Sequence, residues 1–175
     1  AVIQALDHGE YHAYAPPVGF EELRTLIRED LRLPQACAMV TDGAVEALYN
    51  VCSNLCEPGT DFVTTDPSWA WPMHFARKAG ANVVELPIYN AEQGYKLSVE
   101  QLRSAVSEKT RVIYLVDPNN PLGTCHTEDE IRAIADIARS VGAYIIHDGT
   151  YCHFADSFTP AFKFYPEKSI QIYSF

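Results

Sequence analysis

The chain has 175 residues, 47% of them hydrophobic, enough to bury one sizeable core and to form one domain or a large part of one. Thirteen basic against 23 acidic residues give a net charge of -10 with no clustered Lys and Arg, which argues against a nucleic-acid or anionic-membrane surface. No apolar run approaches the length of a membrane span and no signal peptide opens the chain, and five cysteines, an odd number with no paired C-x-x-C spacing, lead to the expectation of a reduced cytoplasmic compartment.

In chain order, Gly19 to Arg32 places Leu23, Leu26, Ile27 and Leu31 at helical spacing. Val45 to Leu55 reads as a second helix, and Cys52 and Cys56, one turn apart, suit buried apolar positions better than metal ligation. The scattered histidines pair with no second ligand at a zinc-like spacing, so no metal is expected. "DFVTT" is a short strand, Trp71 to Ala79 a helix ended by Gly80, "NVVELPI" a strand, and Val99 to Val106 a helix. "YNAEQGYKL" between them suits a loop or hairpin excursion. "TRVIYLV" is a strand, and Thr127 with Glu130 forms a capping box for a helix to Arg139. "AYIIHD" and "SIQIYSF" complete the set. Near-continuous apolar strands alternating with helices predict a three-layer α/β/α domain with a mostly parallel sheet. Both ends look abrupt, as if the chain were a fragment.

In open α/β sheets, ligands bind beyond the carboxyl ends of the strands, and the unusual residues collect there. After "TRVIYL" comes "VDPNNPLGTC", three prolines, two asparagines and a glycine, far stiffer than a plain turn requires. It holds the amide of Asn120 still. "TDGAVEAL" puts Gly43 at a helix mouth, where the N–H groups of Gly43, Ala44 and Val45 suit a phosphate. Simple capping by Thr41 or Asp42 is the competing reading, favoured when the stretch is taken alone. In "DPSWAWP", Trp69 is expected to be exposed and able to cover a flat ring, and Trp71 to be core. Asp148 ends a buried strand, where a carboxylate wants a cationic partner such as a protonated heterocyclic nitrogen, or else caps the next turn. His147 reads as a satisfied strand histidine.

Together these residues offer a phosphate cradle, an aromatic lid, an amide and a carboxylate. The chain resembles the large domain of the class I/II aminotransferases, fold-type-I pyridoxal-phosphate (PLP) enzymes, over nearly its whole length. The resemblance rests on "YAPPVGFEELR", "TDGAVEAL", "DPSWAWP", "PNNPLGT", "DGTY" and "YSF", in family order. It implies a truncated PLP-binding large domain over residues 1–175, without the small domain, in an enzyme acting on an amino acid through an external aldimine and passing the amino group to a keto acid. By the resemblance, Asn120 and Tyr151 bond the cofactor's phenolic oxygen, Asp148 holds its pyridine nitrogen protonated, and Trp69 stacks on the ring. Gly43, Ala44, Val45 and Ser174 take the phosphate. Tyr14 reaches a phosphate across a homodimer interface. The Schiff-base lysine is expected two residues beyond Phe175, and Asn120–Pro121 and Asp66–Pro67 are expected to be cis. Gly149 departs from the family's frequent acidic residue. A β-lyase, cyclase or oxidase on the same scaffold, or a non-catalytic aminotransferase-like binding domain, stays open.

Overall fold

Alternating apolar runs and amphipathic stretches resolve, in a computed structural model describing residues 2–175, into five β-strands and six α-helices. The chain divides into two compact units, one ending at Thr41 and the other running from Asp42 to Phe175. The first holds helices α1 (Val2–His8) and α2 (Glu21–Asp30). α2 is shorter than its apolar spacing suggests: Leu31 caps it, and Arg32 turns to a φ of 55°. Arg24 and Arg28 both pair with Glu21, and Arg24 Nε donates to the Ala38 carbonyl at 2.6 Å, tying the helix to the segment after it.

The second unit is built on the strands β1 (Asp61–Asp66), β2 (Asn82–Pro87), β3 (Thr110–Val116), β4 (Tyr144–Asp148) and β5 (Ser169–Ile172). They form one sheet in the order β2-β1-β3-β4-β5, and every pairing is parallel. Parallel neighbours need crossover connections, which the helices supply. Helices α3 (Gly43–Leu55) and α4 (Trp71–Lys78) precede β1 and β2, α5 (Val99–Ala105) precedes β3, and α6 (Glu128–Val141) precedes β4.

The sheet is covered on both faces, which explains why its central strands read as continuous apolar runs. On one face Leu48 and Cys52 of α3, with Cys56 just beyond it, and Met73 and Ala76 of α4 pack with Phe62, Val112, Tyr114 and Ile146. On the other, Leu102 of α5 and Ile131, Ile134 and Ala138 of α6 pack with Val63, Ile113, Leu115 and Ile145. Each fully buried Ile or Leu contributes on the order of 1.5–3 kcal/mol. The Thr127 capping box forms with both of its hydrogen bonds, and Gly142 closes α6 at a φ of 72°. The "YNAEQGYKL" excursion is a single 3-10 turn, Ala91–Gln93, capped by Asn90. Because all five strands run the same way, their carboxyl ends share one edge. Among the described residues no helix is long and apolar enough to cross a membrane.

Candidate cofactor site

The end of β4 carries a buried and well-oriented acid. Asp148 is buried at 3% exposure, and its carboxylate accepts hydrogen bonds from three donors. Tyr114 Oη, from β3, donates to Oδ2 at 2.9 Å; the Thr150 hydroxyl and backbone N–H donate to Oδ1 at 2.7 and 3.1 Å. A carboxylate offers about four lone-pair sites, so this one is oriented from behind and keeps room for one more donor. Burial, and then the neighbouring Asp148 carboxylate, push the Tyr114 phenol well above its usual range, so it remains a donor. In the sequence Tyr114 carries no signal of this role, being one aromatic in an apolar strand. Only the pairing of β3 with β4 brings it under Asp148.

Next to Asp148 the chain turns sharply. A Cβ on Gly149 would lie 2.7 Å from Gln171 Nε2 and 3.0 Å from Phe158 Cζ. Gln171 Nε2 already donates to the His147 and Ile172 carbonyls, so any side chain at 149 must displace it. This packing accounts for glycine at the position where the resembled family often has an acid. Tyr151, three residues past Asp148, is 42% exposed.

The asparagine loop leaves β3 beside β4, its start fixed by the Asp117 N–H donating to the Asp148 carbonyl at 2.9 Å. Its two asparagines have different tasks. Asn119 is buried and staples the loop: its Oδ1 accepts from Leu122 N–H at 3.1 Å, and its backbone pairs with Thr124 and Gly123. Asn120 is partly exposed. Asp66–Pro67 and Asn120–Pro121 are cis as expected, and Asp117–Pro118 is cis as well. A cavity of about 540 Å³ opens beside this loop, lined by Pro118, Asn119, Cys125, Tyr151, Phe154 and Asp156 among others. Burial, reinforced by the Asp117 carboxylate, pushes the Cys125 thiol up to about 12, so it is no thiolate nucleophile.

α3 begins at Gly43, with its mouth on the same edge, since its other end leads directly into β1. Gly43 has a φ of 81° with open space where a Cβ would be, and Asp42 in the N-cap position makes no side-chain capping bond. Aspartate capping therefore does not account for the turn, and Val45 is exposed. The Glu46 carboxylate folds back to accept the Asp42 N–H, so an anion at Gly43, Ala44 and Val45 requires that side chain to turn away. Ser174 follows β5, an edge strand that α3 touches, and is partly buried.

Trp69, between β1 and α4, is exposed as expected, at 37%. Trp71 is not core: it is 50% exposed, more than Trp69. The buried face of α4 is formed by Pro72, Met73 and Ala76, so the first residue of the helix falls outside it. Trp71 instead stacks on Phe75, ring centroids 5.9 Å apart. Tyr14 belongs to the N-terminal unit, where its side chain is fully exposed. Among the described residues no group of three or more His, Cys, Asp or Glu could hold a metal ion.

Comparison with known proteins bears on this arrangement. The family model for aminotransferase class I and II matches residues 1–172. The chain is 31% identical to an aspartate aminotransferase of Streptomyces avermitilis over 87% of its length, and 32% identical to one of Pyrococcus horikoshii over 100% of it. It covers 39% and 46% of those relatives, less than half of each. The aspartate aminotransferase of Thermus thermophilus solved with maleate superposes with a TM-score of 0.88 at 28% identity, over 97% of this chain and 46% of that one. The N-succinyldiaminopimelate aminotransferase of Mycobacterium tuberculosis gives 0.86 at 30% identity, over 98% and 48%. A parallel five-stranded α/β sheet with a buried strand-end acid and a family match spanning almost every residue lead to one conclusion: this chain belongs to the aminotransferase class I and II family.

Proposed function

We propose that the full protein, of which this chain is the PLP-binding large domain, is a pyridoxal-phosphate-dependent aminotransferase acting on an amino acid and a keto acid. The observation that carries the reading is Asp148, a buried carboxylate oriented by Tyr114 and Thr150 with acceptor capacity to spare. That chemistry fits a protonated ring nitrogen. Bound PLP supplies an electron sink for the carbanion formed at the amino acid's α-carbon.

The protein's own groups divide the work of binding and orientation. Asp148 keeps a proton on the ring nitrogen. Asn120 and Tyr151, from the turns after β3 and β4, donate to the phenolic oxygen. Trp69 covers one ring face and shields it from water. The Gly43, Ala44 and Val45 N–H groups, with the Ser174 hydroxyl, take the phosphate once Glu46 turns away. Tyr14 reaches a phosphate in a second subunit, which makes the working protein a homodimer, and the cytoplasm suits it. The lysine that carries the cofactor belongs three positions after Ser174, two beyond Phe175.

An amino-acid panel on the full-length protein tests the reading. The expected result is a change in cofactor absorbance with pyridoxamine phosphate and a keto acid as half-reaction products. Release of ammonia instead moves the protein to a lyase-type reaction on the same scaffold. No spectral change with any amino acid, or a residue other than lysine two positions past Phe175, favours a binding domain.

A further inference from the structure

The function proposed above leaves one buried ionisable cluster unused. Asp117, the first residue after β3, has a side chain with 0% exposure. It lies on the opposite face of the sheet from Asp148, as strand alternation requires. Four groups surround its carboxylate. The His126 N–H donates to Oδ1 at 2.9 Å and His126 Nδ1 meets the same oxygen at 3.0 Å. His147 Nε2 lies 3.4 Å from Oδ2, and the Cys125 thiol lies 3.6 Å from it. His147 Nδ1 accepts the Ala161 N–H at 3.1 Å, so the neutral ring carries its hydrogen on Nε2, toward the carboxylate. That contact is close but poorly aligned, and His147 Nε2 has no other partner. Burial raises the Asp117 carboxyl, but the bonds from His126 and the nearby His147 ring outweigh it and hold the group well below the usual carboxylate range. It is an anion in the core.

Its placement gives that charge a task. Asp117 and His126 are the two ends of the segment that carries Asn120, and the carboxylate bridges them. The same residue's N–H is bonded to the Asp148 carbonyl. The side chain thus closes the asparagine loop and fixes it to α6 through the residue before Thr127, while the backbone of the same residue joins the loop's base to the strand that ends in Asp148. Loop ends held this way cost Asn120 less ordering when a ligand arrives.

We infer that Asp117 is a positioning residue: its buried carboxylate, bonded across the loop mouth to His126 and facing His147, presets Asn120 for the phenolic oxygen of the cofactor. The inference rests on the proposed reading for the identity of that ligand, but the preset loop itself belongs to the protein alone. Asparagine cannot replace Asp117, because both carboxylate oxygens face N–H donors. An amide has one oxygen, and its NH2 would meet a donor on one side or the other.

Asp117→Asn in the full-length protein tests this in two arms. Without cofactor, amide hydrogen exchange is followed at Leu122 and Gly123, which bond to Asn119, and at Asn119, which bonds to Thr124. Their protection should fall about tenfold or more relative to Ile113 in β3. His126→Phe, which keeps the backbone bond but removes the ring donor, should give a smaller loss in the same amides. It serves alone if Asp117→Asn does not fold. With PLP bound, the pH midpoint of the cofactor's visible absorbance should move by about half a unit or more in Asp117→Asn. The shift should have the same sense as in Asn120→Ala, and Asp117→Asn should add nothing in an Asn120→Ala background. A merely structural role would lower stability without that non-additivity. Unchanged loop protection in both variants, or additive shifts, overturns the inference. If Asn120→Ala itself leaves the absorbance unmoved, the assigned role of Asn120 fails instead, and the exchange arm still decides whether Asp117 presets the loop.

Discussion

Replacing Tyr114 with Phe isolates the support that orients Asp148. The ring is fully buried, with its centroid 5.8 Å from that of Phe62, and phenylalanine keeps that packing. Only the hydroxyl is removed, and with it the 2.9 Å bond to Asp148 Oδ2. A hydrogen bond to a charged group is worth about 1.5–3 kcal/mol, because deleting the donor leaves a buried carboxylate oxygen under-satisfied. The two Thr150 donors remain on Oδ1, so Asp148 stays partly held and the cost should fall near ~2 kcal/mol. Urea unfolding of the full-length protein without cofactor measures it directly. With a typical slope of about 1–3 kcal/mol/M, the midpoint should drop by roughly 1 M while the slope is unchanged. A loss below about 0.5 kcal/mol would show that the bond contributes little and that Asp148 is oriented by Thr150 alone.

Asp148→Ala should abolish most turnover even in protein saturated with PLP, since phosphate contacts carry much of the binding; near-normal steady-state turnover at saturating PLP removes Asp148 from its role. Thr127→Ala removes a capping box in which both bonds are formed, and should lower the unfolding free energy by about 1 kcal/mol, read from the urea midpoint. Acid stability should depend on Asp117, whose carboxyl is held well below the usual range in the folded chain. The unfolded chain then binds the proton first, at about pH 3.9, so the contribution is complete above that pH and is lost as pH falls toward the folded value. Urea midpoints between about pH 6 and pH 2 should therefore fall more steeply in the wild type than in Asp117→Asn.

How far the sequence reaches differs between the fold and the site. The parallel sheet was legible because strands buried on both faces must be apolar throughout, and "TRVIYLV" and "AYIIHD" are. The helix ends were legible where local chemistry sets them, as at Thr127 and Gly142, and less so at α2, where Leu31 continues the apolar spacing but Arg32 turns out of the helix. The exposure of Trp71 is not legible locally, because it depends on which face of α4 meets the sheet, and an aromatic at the first helical position is not committed to that face. Asp148 and Asn120 could be noticed from sequence alone, since an acid closing an apolar strand and a proline-locked amide are locally anomalous. Thr150, two residues past Asp148, is a local partner of the kind a turn-capping aspartate finds, but the more distant ones could not be noticed. Tyr114 lies 34 residues from Asp148, and His147 faces Asp117 because β3 pairs with β4, whereas Cys125 and His126 return to Asp117 through the fold of the loop between them. Local patterning determines which segments become strands and helices, because backbone hydrogen bonding and side-chain periodicity act over a few residues. That Tyr114 meets Asp148 and His147 faces Asp117 was decided by strand register, a property of the packed sheet that no single segment contains.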